Sequence, residues 1–129
     1  MFEQDFIMRT IHEMVRAVLH LVFHVSMDNP FMETAEEEEA KNNLLHLNEL
    51  TKDGHIVEAE NALDDLADGE NMQNLKVALL FYSHLNEQTD EFLEENDFSR
   101  EEVKDGLKRM MNRYGFDEMA ETLLPKTKA

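Results

Sequence analysis

No cysteine occurs in the 129 residues, which removes disulfides and thiol chemistry and fits a reducing compartment. Glycine and proline are nearly as scarce, four and two residues, too few for a turn-rich β fold. Serine occurs only at Ser26, Ser83 and Ser99, with no Gly-x-Ser-x-Gly elbow and no glycine-rich phosphate loop. Nucleophilic catalysis therefore has little to work with, and neither an enzymatic role nor a cofactor is expected. Long apolar runs are missing too. The stretch 17–25 is short and broken by His20 and His24, and Glu3 and Asp5 stand where a secretory signal wants positive charge, so no membrane association is expected. A cytoplasmic location is the expectation.

What the chain has is acid. Of its formal charge of −17, residues 31–96 supply eighteen acids against three bases, while residues 1–30 hold four acids and two bases. Such a surface repels phosphate, so no nucleic-acid partner is expected. Hydrophobic residues make up 42%, enough for one modest core in a single domain.

Periodicity points to an all-α fold. Ile7, Ile11, Met14, Val18, Leu21 and Val25 alternate at steps of four and three, predicting a long helix over 3–25 with an apolar seam. Met8, Val15 and Val22 widen it, and Arg9, Glu13, Arg16, His20 and His24 form the opposite polar edge. A seam this wide suggests burial against several helices or self-association as a homodimer. Asp28-Asn29-Pro30 reads as a hinge over 28–30.

The stretch 44–66 looks like the organising element: a leucine-striped helix, a left-handed closure at Gly54, and a second helix carrying Ile56, Ala59, Leu63 and Leu66. Thr34 caps the first of these helices ahead of Glu36–Glu39, acids placed where the helix dipole favours them, and the hairpin spans 34–68.

A second hairpin is expected over 71–114, its first helix running unbroken from about 71 to 95. Phe98-Ser99-Arg100-Glu101-Glu102-Val103 combines capping-box spacing with a hydrophobic staple, so a helix should begin at Arg100. Gly106 interrupts that helix at about 1 kcal/mol relative to Ala, which implies a packing reason. Tyr114-Gly115-Phe116 closes it. Asp117 then caps a short C-terminal helix over 118–124, Pro125 stops it, and 126–129 reads as a frayed tail.

Three constellations bear on function. Glu13, His20 and His24 share one face of the first helix and offer a metal two imidazoles and a carboxylate, short of a full ligand set. Arg100, Lys104 and Lys108, with Arg109 and Arg113 nearby, make a basic stripe that offers a site for phosphate or, at lower cost, an intramolecular match to the acidic middle segment. The acidity itself suits a regulatory antagonist that imitates nucleic acid.

Gly54 followed by Ala59 and Leu63 after a leucine-rich helix resembles the turn and second helix of a tetratricopeptide repeat, with room for two hairpins where a solenoid needs three or more. That resemblance implies an interaction module taking a protein or peptide partner in a groove between the hairpins, lined by Leu47, Tyr82, Leu85 and Met111. Over most of its length the chain resembles a family of small uncharacterised Firmicutes proteins. The resemblance rests on Phe2-Glu3-Gln4-Asp5-Phe6-Ile7-Met8-Arg9, the stretch 54–63, Phe81-Tyr82, Leu85-Asn86-Glu87 and Phe98-Ser99-Arg100-Glu101-Glu102. It implies an all-helical bacterial cytoplasmic protein and brings no residue-level function with it.

Overall fold

Helix α4 (Met72–Asn86) is buried on every side, and the other helices are arranged around it. The computed structural model describes the backbone of residues 2–124 and the side chains of 4–124; Pro125 and the tail expected over 126–129 lie outside the described residues. Among the described residues the fold is all-α: α1 (Phe2–Phe23), α2 (Ala35–Lys52), α3 (Ile56–Leu66), α4, α5 (Asp90–Glu95), α6 (Arg100–Arg113) and α7 (Asp117–Leu123). Helix α4 packs against α1, α2 and α6, while α3 pairs with α2 and α7 with α6. The hairpin expected to organise the chain, α2–α3, is thus one wall around α4. The unbroken run Val77-Ala78-Leu79-Leu80-Phe81 explains this, since a helix apolar all round must be covered all round.

Local signals set most helix ends. Thr34 Oγ1 accepts from Glu37 N at 3.2 Å and Ser99 Oγ from Glu102 N at 3.2 Å, capping α2 and α6. Phe98 and Val103 are both buried beside the Ser99 cap, as the staple requires. Gly54 and Gly115 adopt φ of +87° and +83°, and the amides that follow reach back five residues, His55 N to Leu50 O and Phe116 N to Met111 O, each 2.8 Å.

Three boundaries differ from expectation. Helix α1 stops at Phe23, because His24 turns left-handed at φ 58° and Val25 N bonds Leu19 O at 3.1 Å. The helix expected over 71–95 is two helices. Thr89 caps α5 by accepting from Phe92 N at 3.0 Å, and the Arg100 guanidinium takes the carbonyls of Asn86 (3.1 Å) and Gln88 that the break leaves open. Asp117 is the first residue of α7 rather than its cap, a place held by Phe116 without a side-chain bond.

Tyr82 and Gly106 explain each other. A Cβ on Gly106 would lie 2.4 Å from the Tyr82 ring, so only glycine lets α6 close onto α4 there. The Tyr82 hydroxyl donates to Glu60 Oε2 at 2.7 Å and accepts from Arg109 at 3.2 Å, joining α3, α4 and α6. Arg109 and Arg113 lie 3.7 and 3.5 Å from the Asp64 carboxylate. Part of the basic stripe is therefore matched within the chain. Arg100 and Lys104 are buried.

Candidate functional site: a groove along the outer face of α1

The N-terminal seam divides in two. Ile7, Ile11, Met14 and Val18 are buried against the chain's own core, joined by Val15 and Leu19, whereas Leu21 is 58% exposed and Val25 partly so. A straight α-helix drifts about 20° per heptad from a 3.5-residue repeat, so by the third heptad the seam has rotated off the core and Leu19 and Val22 take its place. Helix α1 thus packs within its own chain, and Leu21 turns outward.

Beside it runs an open groove of about 870 Å³. Ala17, Leu21, Val25 and Met27 give it apolar surface, and His12, Glu13, Arg16, His20, His24 and Asp28 its polar lining. One wall is helix. The other is the segment 24–28, whose continuation borders a second depression of about 760 Å³ that includes Phe31, Met32 and Lys41.

The chain just beyond that wall is pinned from inside. Lys76 of α4 is buried, and its Nζ donates to Glu37 Oε1 at 2.6 Å and to Pro30 O at 2.8 Å. Glu37 Oε1 also accepts from Met32 N at 3.1 Å, and the rings of Phe31 and Phe23 lie 5.0 and 5.6 Å from the ammonium. Burial pushes the Glu37 carboxyl upward, but the Lys76 and Met32 hydrogen bonds and the Lys76 charge outweigh it, and the net shift is downward. Of the Asp28-Asn29-Pro30 segment, expected to be a hinge, Pro30 is held through its carbonyl by Lys76.

Glu13, His20 and His24 do line one groove, but Glu13 is engaged by Arg16 at 2.7 Å, which lowers its pKa. Among the described residues no three His, Asp or Glu side chains come together in a way that would hold a metal ion. The groove expected between the hairpins is filled: Leu47, Tyr82, Leu85 and Met111 are all core residues. Tyr82 and Leu85 belong to α4, and α2 and α6, which carry Leu47 and Met111, close directly onto that helix, a pairing that no single helix's periodicity shows. Ala17 and Met27 were missed as groove residues. Their signal was available only in part, as small or apolar residues adjoining the polar edge.

Residues 1–115 match the model of a family of unknown function (DUF6483). The chain belongs to that family. The matched segment takes in α1 to α6, so both the groove and the pinned stretch lie within the family domain. No curated protein and no solved structure matches the chain. No helix among the described residues is long and apolar enough to cross a membrane.

Proposed function

We propose that this member of the family is a non-enzymatic protein-binding domain, with tetratricopeptide-like hairpins as scaffold and the outer face of α1 as docking surface. The observation that carries the reading is Leu21, a large apolar side chain left 58% exposed beside a groove whose far wall leads into a stretch held by a buried ion pair. A preformed apolar strip with a polar margin suits a partner's side chains, because little ordering is left to complete on binding. The groove is open along its length, which fits a protein segment better than an enclosed small molecule. A cytoplasmic setting agrees with a chain that has no cysteine to bridge.

A photoreactive amino acid at Ala17, compared in native cells with the same residue at exposed Asp65 on α3, tests the reading. A discrete protein adduct from position 17 that is missing at 65 is expected. No adduct at 17, or the same adducts from both positions, would overturn it.

A further inference from the structure

Three of the chain's six histidines line the same groove. His12 and His20 stand four residues to either side of Arg16 along α1, and His24 follows at the left-handed turn just past the helix end. His20 and His24 are exposed and His12 is half-buried. The groove runs on into the second depression, since His24, Val25 and Ser26 border both.

The formal charges along this track lean one way. Glu13 from α1, Asp28 and Glu33 from the connecting segment and Glu38 from α2 face Arg16 and Lys41, four carboxylates against two cations and a net −2. Arg16 matches Glu13, so the surplus lies at Asp28, Glu33 and Glu38, all exposed. The whole chain adds to it, at −17 with neutral histidines. A cationic segment is attracted by the track and by the molecule, and an acidic one is opposed by both. The apolar strip of Ala17, Leu21, Val25 and Met27 asks for apolar side chains on the same segment. Imidazole is the side chain whose charge ordinarily changes between about pH 5 and 8. Protonating three of them turns the formal sum of the track from −2 to +1. Carboxylates, which ordinarily titrate at about pH 4, stay charged through that range.

Resting on the reading of this groove as a docking surface, we infer that its occupant is a basic segment with apolar anchors, held at neutral pH and released as His12, His20 and His24 take up protons. Apolar contact with Leu21 seats the segment, and the sign of the track decides whether it stays.

Two synthetic peptides serve as probes: an amphipathic helix of leucine and lysine, and its twin with glutamate in place of lysine. Each is titrated against full-length protein carrying the photoreactive residue at position 17 or, as a control for attraction to acidic surface alone, at 65. The lysine peptide is expected to label position 17 saturably and 65 far less, and the glutamate peptide to label neither. Half-saturation at 17 should rise about three- to tenfold between about pH 8 and about pH 5.5, since three exposed charge contacts each contribute a modest factor. Combining His12→Gln, His20→Gln and His24→Gln should bring the ratio between the two pH values close to one, with matching thermal midpoints to confirm that the fold is kept. Equal labelling by the two peptides, equal labelling at 17 and 65, or a pH ratio that survives in the triple variant would overturn the inference. Labelling by neither peptide would overturn it too: with the cellular adduct from position 17 still present, the docking reading stands, and with that adduct also missing, both fall.

Discussion

Helices α1 and α4 both touch several neighbours, yet one has a free face and the other has none. Helix α4 buries even Lys76 and Asn86, tied into their surroundings: Lys76 to Glu37, Asn86 Nδ2 to Met8 O at 2.9 Å. Helix α1 buries Ile7 through Leu19 on one side and leaves Phe6, His20 and Leu21 on the other. The difference separates scaffold from working surface. Lys76 and Tyr82 on α4 have partners inside the molecule, while His20 on the outer face of α1 stands beside a groove.

The largest effect is expected where the scaffold holds a charge. Glu37→Ala leaves the Lys76 ammonium buried beside only Pro30 O and two rings, and should cost about 3 kcal/mol in chemical denaturation, the low end for a broken buried pair because those contacts survive. It should also loosen the stretch that follows the groove wall, read as faster amide exchange at Met32. Next comes Gly106→Ala. The added methyl collides with the Tyr82 ring, and overpacking outweighs the gain in helix propensity for a net loss of about 1–2 kcal/mol.

Two carboxylates of the scaffold should respond to pH with opposite sign. Glu37 has a folded-state pKa below its ordinary value of 4.5, so its contribution is full above that value and fades as pH falls through the lowered one. Glu60 is raised, by burial above all, with its hydrogen bond to Tyr82 and the Arg109 charge opposing. Its contribution is present below its ordinary value of 4.5 and is lost as pH rises through the raised one. Denaturation across about pH 2–8, a span of roughly two units or more on either side of ordinary carboxylate values, should show Glu37→Ala flattening the acid limb and Glu60→Gln removing the decline above it. Identical profiles in wild type and both variants would dissolve that distinction.

Much of the local structure was legible because its causes are local. Ser99 with Glu102, and Gly54 and Gly115, set helix boundaries within a few residues of themselves, and the structure has them where the pattern places them. Asp97 closes α5 in the same left-handed way at φ 57°, but an aspartate is a weaker marker of that conformation than glycine. What the pattern could not supply is which face covers which. Tyr82 and Met111 look like groove lining until α4 and α6 are set against each other, and Glu37 looks like one acid in a helix-start cluster until Lys76, 39 residues later, reaches it. Leu21 belongs to the core by heptad count and leaves it by helical drift.

The smallest effect on stability should come from Leu21, and it tests the division between scaffold and surface most directly. Leu21→Glu, with its unfolding free energy and its cross-linking from position 17 measured on one preparation, should unfold within about 0.5 kcal/mol of wild type, as exposed positions do, and should lose the adduct. A variant destabilised by more than about 1.5 kcal/mol would return Leu21 to the core. One that stays as stable as wild type and still gives the adduct would show that the outer face of α1 does not dock a partner through Leu21.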